Sequence, residues 1–153
     1  MMPEEGQSEA EICNCLAVRQ AARHVSQFYD QFLAPAGLRT TQYSILAKLR
    51  RLGPMTINAL AEHMVMDRTT LGRNILPLQR EGLIAVAKGA ADRRRRELRL
   101  TDAGLARLRA ARAGWAEAQA RFETVFGVQR SAELRALLHS VAASDLAGAA
   151  PAG

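Results

Sequence analysis

The sequence predicts a mainly α-helical protein with one small β-hairpin, and three observations predict it. Apolar residues recur at helical spacing along most of the chain, as at Leu71, Ile75 and Leu78. One short stretch breaks that rhythm: Leu83 to Ala87 is a continuous apolar run, and from Arg96 to Leu100 the leucines Leu98 and Leu100 alternate with charges. Between the two runs lies Lys88-Gly89-Ala90-Ala91-Asp92, a turn-forming tip, followed by four consecutive arginines, Arg93 to Arg96. Helix, strand, basic tip, strand is the layout of a winged helix. It offers one helix to a major groove and a basic hairpin to the flanking backbone.

The elements follow in chain order. Residues 1 to about 8 are polar and unpatterned, the composition of a mobile end. A long helix comes next, with Ile12, Cys15, Val18, Ala22, Val25, Phe28 and Phe32 at helical spacing and an apolar surface wider than one contact requires. Pro35 and Gly37 end it. A second helix, from about Thr41 to Leu52, turns Tyr43, Leu46 and Leu49 inward and stops at Gly53-Pro54. Thr56 caps a third, whose buried stripe is Ile57, Leu60, Ala61 and Met64. A short turn at Val65-Met66 leads to a fourth helix, capped by Asp67 and closed by Gly82, so the third and fourth make a helix-turn-helix. Pro77 lies inside that fourth helix, where it removes an amide donor and crowds the carbonyl of Arg73. A kink near Arg73 is expected rather than an early end, because Leu78 continues the stripe. After the hairpin Thr101 caps a long helix whose stripe runs from Leu105 and Leu108 through Trp115 and Ala118 to Phe126, with Gly127 ending it. Ser131 caps the last helix, which turns Leu134, Leu137, Leu138 and Val141 inward. The Ala/Gly/Pro-rich end, 147–153, is expected to fray.

Composition narrows the class. The chain has 153 residues, 48% hydrophobic and 24% charged, the size and balance of one soluble globular domain. No stretch approaches the ~20 apolar residues of a membrane span. Met1-Met2-Pro3-Glu4-Glu5-Gly6 lacks the basic start and apolar run of a signal peptide, which predicts a cytoplasmic protein. The net charge is +6 and the pI about 10.3, a balance that suits a polyanionic partner. The four arginines gather that charge at the hairpin.

The run Asp92-Arg93-Arg94-Arg95-Arg96-Glu97-Leu98-Arg99-Leu100-Thr101 matches the wing signature D-x-R-x-x-x-L-x-L-T, and by it the chain resembles the MarR family of bacterial transcription regulators. Arg80-Glu81-Gly82-Leu83-Ile84 before it and Thr101-Asp102-Ala103-Gly104 after it are similar to that family too, and the resemblance extends from about Cys15 to the last helix. It implies a winged helix-turn-helix flanked by N- and C-terminal dimerisation helices. The expected division is 1–40 and 102–153 for dimerisation and 41–101 for DNA binding. The surplus apolar surface of the first and last helices points to a homodimer on its own account.

Arg68, Thr69, Thr70, Gly72 and Arg73 line the outer face of the Asp67 helix near its start. Such side chains reach base edges and phosphates, and Gly72 lets the backbone approach closely. Arg94 falls where the family carries its wing arginine, and a narrow minor groove attracts a guanidinium. Arg93 and Arg95 are candidates for phosphate contact. Asp92 carries a charge that phosphate repels, so its expected role is to hold an arginine in position.

No catalytic constellation, cofactor motif or metal-ligand spacing is expected. His24, His63 and His139 stand alone, and there is no phosphate-cradling glycine loop. Cys13 and Cys15 are thiols in a reducing compartment. On a helix, positions i and i+2 point to nearly opposite sides, so Cys13 and Cys15 cannot easily bond within one helix. Cys15 is then either a small apolar filler or a sensor. Resemblance to the organic-hydroperoxide-sensing branch of the family places Cys15 at its reactive cysteine and Tyr29 at one of its thiol-binding tyrosines. Thr40 stands where that branch has a second tyrosine. Cys13 is the lesser candidate.

The sequence reading is therefore a dimeric repressor of a pseudo-palindromic operator in double-stranded DNA. Its expected signal is a small aromatic or phenolic ligand, or thiol oxidation by an organic peroxide. Two rivals remain: an architectural DNA binder without a signal, and the winged-helix dimerisation module of an enzyme.

Overall fold

The computed structural model describes residues 8–148, so the ends expected to be mobile lie almost wholly outside the described residues. Its elements are α1 (Glu9–Ile12), α2 (Asn14–Leu33), a 3-10 turn (Ala34–Ala36), α3 (Thr40–Leu52), α4 (Ile57–Met64), α5 (Arg68–Arg80), β1 (Ile84–Lys88), β2 (Arg96–Leu100), α6 (Asp102–Phe126) and α7 (Val128–Ala143). This is the expected fold class, mainly helical with a small two-stranded wing. No helix among the described residues is long and apolar enough to cross a membrane.

The core gathers where α3, α4, α5 and the hairpin meet the end of α2 and the start of α6. Leu33, Ile45, Leu46, Leu60, Leu71, Leu78 and Leu83 are fully buried there. The stripe Leu71, Ile75, Leu78 faces inward as its spacing predicts. α5 runs through Pro77 without ending. It stops in a Schellman motif: the N–H of Leu83 donates to the carbonyl of Leu78 (2.9 Å) and that of Gly82 to Gln79 (2.9 Å), with Gly82 at φ +74°. The same pattern closes α4, but there the left-handed position is Val65 at φ 53°, an unusual conformation for a β-branched residue, in the turn before α5.

The hairpin is antiparallel, with Ile84 opposite Leu100 and Lys88 opposite Arg96. A third partner was not expected. Met55 exchanges both backbone hydrogen bonds with Leu98 (2.7 and 3.1 Å), which ties the link before α4 to β2.

α6 carries the fold from the hairpin to the other end of the molecule. Thr101 caps it, accepting the N–H of Gly104 (3.0 Å) and donating its hydroxyl to the carbonyl of Gly82 (2.6 Å). Gly104 presses against Leu83: a Cβ there would collide with the Leu83 carbonyl. Farther along, Gly114 makes the same kind of close approach to the carbonyl of Phe32 in α2.

The structure refines the sequence reading at several points. The first helix is broken at Cys13, whose extended backbone (φ −72°, ψ 109°) ends α1 and begins α2. Ser8 and Glu11 close the short first piece, the Ser8 N–H donating to Glu11 (2.7 Å). The second helix begins at Thr40, within a residue of its expected start, and its N–H is taken by the Asp30 carboxylate (2.7 Å). The last helix begins at Val128, not Ser131; Ser131 is 1% exposed and donates its hydroxyl back to the Gly127 carbonyl (2.6 Å). Finally, α7 packs chiefly against α6 and turns less inward than expected. Leu134 is half-buried, but Leu137, Leu138 and Val141 are exposed in the protomer.

Candidate nucleic-acid interface

Two features of the winged helix face solvent together: the outer side of α5 and the tip of the hairpin. On α5, Asp67 is the N-cap. Its Oδ1 accepts the N–H of Thr70 and its Oδ2 the Thr70 hydroxyl, both at 2.8 Å. The Thr70 N–H, and next its hydroxyl, hold the Asp67 carboxyl below its ordinary value. Arg68, Thr69 and Arg73 are exposed and Gly72 is half-buried. The four side chains Arg68, Thr69, Thr70 and Arg73 are thus spread over the solvent side of α5, and the Thr70 hydroxyl proton is committed to the cap, which leaves Thr69 the freer hydroxyl. The sequence reading missed two members of this surface. Asn74 donates its amide to the Thr70 carbonyl (2.9 Å), and Leu76 is exposed.

The hairpin tip is closed by its own backbone. The Gly89 N–H donates to the Arg95 carbonyl (2.9 Å) and the Arg95 N–H to the Asp92 carbonyl (3.1 Å). Asp92 Oδ1 accepts the backbone N–H of Arg94 (3.0 Å) and lies 3.6 Å from Arg94 Nε. Gly89 is needed here, since a Cβ would come within 2.5 Å of Glu97 and 2.7 Å of the Asp92 carbonyl. Arg93, Arg95 and Arg96 are exposed, and the Arg94 side chain is 95% exposed. The arrangement is a short loop closed by its own hydrogen bonds, with Arg94 held at its backbone and its side chain free in solvent.

The candidate signal residues are elsewhere and apart. Cys13 and Cys15 are both free and exposed in the protomer, so Cys15 is not filling its core. Cys13 lies outside the helix, as the N-cap of α2, where its Sγ accepts the Leu16 N–H at 3.4 Å. The opposite-sides argument therefore does not govern the pair. Tyr29 is 14 positions from Cys15 along α2, about 21 Å at 1.5 Å per residue. Its hydroxyl donates to Gln119 of α6, and burial, then the charge of Glu123, pushes it above its ordinary value. Tyr29 borders an apolar groove of about 380 Å³ between α2, α6 and α7, with Val18, Val25, Phe122 and Leu134 also on its wall. No group of three metal-ligating side chains occurs among the described residues.

Comparison with known proteins agrees with this geometry. A family model described as MarR matches residues 38–95, from the start of the core to the hairpin tip. The transcriptional regulator MosR of M. tuberculosis is 32% identical, with a TM-score of 0.74 over 88% of this chain and 99% of that one. Its complex with DNA is 34% identical, with a TM-score of 0.70 over 86% and 99%. A probable transcriptional regulator from Pseudomonas aeruginosa is 26% identical, with a TM-score of 0.75 over 87% and 99%. Among curated proteins, the uncharacterised HTH-type regulator YwoH of Bacillus subtilis is 31% identical over 84 residues, 55% of this chain; the match spans only 61% of that relative. These proteins are regulators, which sets aside the reading as part of an enzyme. With a matching family model, about a third of the aligned residues shared with a DNA-binding regulator, and the wing that defines the signature built as described, the chain belongs to the MarR family of transcription regulators.

Proposed function

We propose that this regulator is a homodimeric repressor of a pseudo-palindromic operator in double-stranded DNA. Residues 41–101 form the DNA-binding part, and 1–40 with 102–153 the dimerisation part. Each protomer sets the outer face of α5 in a major groove, where Arg68, Thr69, Thr70, Gly72 and Arg73 meet bases and phosphates, and lays its wing in the adjacent minor groove. The observation that carries this is the fastened arginine. Asp92 accepts the Arg94 backbone N–H and lies 3.6 Å from its Nε, while the side chain stays 95% exposed at the tip. A minor groove rewards a guanidinium presented in this way. Arg93 and Arg95 neutralise the neighbouring phosphates. The signal, a small aromatic or phenolic ligand or an organic hydroperoxide, acts by binding or modifying one separation of the two winged helices better than the other.

The test is binding to a duplex selected from a random library, against unselected DNA, for wild type and Arg94→Ala. Wild type is expected to prefer its selected site strongly and to weaken steeply with salt. Arg94→Ala is expected to lose about 1–3 kcal/mol of binding with its oligomeric state unchanged. A preference near one would instead fit an architectural binder without a signal. Unchanged affinity in Arg94→Ala would remove the wing from the account.

A further inference from the structure

We infer that Leu76 is a specificity-determining residue, and that its side chain reads the 5-methyl group of a thymine in the major groove. The inference rests on the proposed placement of α5 in that groove. α5 buries Leu71, Ile75 and Leu78, and Leu76 lies off that stripe, 45% exposed. At about 100° per residue, Leu76 stands only about 20° around the helix from Thr69 and about 40° from Gly72. It thus lies on the outer face between Thr69 and Gly72, on the side toward the hairpin.

Its surroundings are largely apolar, with Gln79, Arg96 and Glu97 as the polar neighbours. A cleft of about 260 Å³ opens between α5 and the hairpin, and Ile57, Gly72, Leu76, Val86 and Leu98 lie on its wall. Val86, on β1, is also exposed. Gly72 keeps the cleft open from the α5 side: it has no side chain, and nothing lies within 4 Å of where a Cβ would stand. On a surface of arginines and threonines the Leu76 side chain itself can form no hydrogen bond. The major-groove edge of a base pair has one matching feature, the thymine methyl; every other atom there that distinguishes the pairs is a hydrogen-bond donor or acceptor. A leucine is indifferent to those and favours the methyl, because contact removes apolar surface of both from water.

Operator duplexes selected by the full-length protein from a random library supply the probe. Each thymine is replaced singly by uracil, which pairs alike and lacks only the methyl. At one thymine in each half-site, wild type is expected to lose roughly three- to fivefold in affinity, the worth of one buried methyl. Leu76→Ala, half-exposed and so expected to fold, should bind the thymine and uracil duplexes equally, while Leu76→Met should still distinguish them. A selected consensus with no uracil-sensitive thymine overturns the inference, and so does Leu76→Ala discriminating as wild type does. Recovery of no consensus at all overturns the placement of α5 in the major groove, and this inference with it.

Discussion

Gly72 and Gly104 both sit inside helices, where glycine costs roughly 0.5–1 kcal/mol relative to alanine, and they sit there for different reasons. A Cβ on Gly104 would drive into the Leu83 carbonyl and to 2.6 Å from Leu100 Cδ1. A Cβ on Gly72 would meet nothing in the protein. Gly104→Ala is therefore expected to destabilise, by about 1–3 kcal/mol as in other overpacked sites, and Gly72→Ala to stabilise by about 0.5–1 kcal/mol. Thermal unfolding of the two variants checks this, and shifts of the same sign would contradict it. The pair also shows what a sequence displays at this scale. Gly82 as a helix stop, Asp67 and Thr101 as caps and Asp92 beside Arg94 are legible because each acts within three residues. The need for Gly104 is not, because the carbonyl it must approach is 21 positions away. Leu76 was legible in part: the 100° rule takes it off the buried stripe, but only the structure shows the cleft beside it.

Among the elements, α3 to α6 and the hairpin could be read in advance, because each carries its period and, except for α4, which turns at Val65, ends in a residue that enforces the end. The bridge at Met55 could not, since one paired residue has no period. Nor could the break at Cys13, because the apolar spacing continues on both sides of it. That break matters for the thiols. It sets Cys13 at the cap and Cys15 in the first turn of α2, both exposed, instead of mid-helix. A sensing cysteine must be reachable: its thiolate attacks a peroxide oxygen, the O–O bond breaks, an alcohol leaves, and sulfenic acid remains on the sulfur. The other half of that scheme is less well served. A Tyr29 donating to Gln119 has no second proton for a partner's Cys15, so it would have to release Gln119 first. If Cys15 is the sensor, an organic hydroperoxide releases wild type from its operator and leaves Cys15→Ser bound, with Cys13→Ser responding as wild type. Release of Cys15→Ser at the same peroxide concentration, followed by electrophoretic mobility and by mass of the thiols, would end that assignment.

For the whole molecule, α6 is the mechanical link. Its first turns are fixed to β2 and α3 in the winged helix, and its later turns pack on α2 and α7. At that far end the protomer leaves Leu137 67% and Val141 52% exposed on α7, with Ile12 and Val18 exposed on α1 and α2. The sequence reading took the α7 residues as inward, and within one chain they are not. An apolar face with no cover in its own chain loses the gain of burial unless another surface supplies it, and the simplest such surface is the same face of a second copy related by a two-fold axis. The two winged helices would then be held at a fixed spacing, and the second half-site would be bound at high effective concentration once the first is engaged. Sedimentation of wild type at micromolar concentration is accordingly expected to give about twice the chain mass of 16.7 kDa. The double variant Leu137→Glu, Val141→Glu should sediment as a monomer and keep its helical circular dichroism, because neither side chain supports the protomer's core. It should also lose most of its operator affinity although Arg68, Arg73 and Arg94 are untouched. A wild-type monomer that binds a single duplex tightly, or a double variant that remains dimeric, would mean that this apolar end serves something other than a second copy.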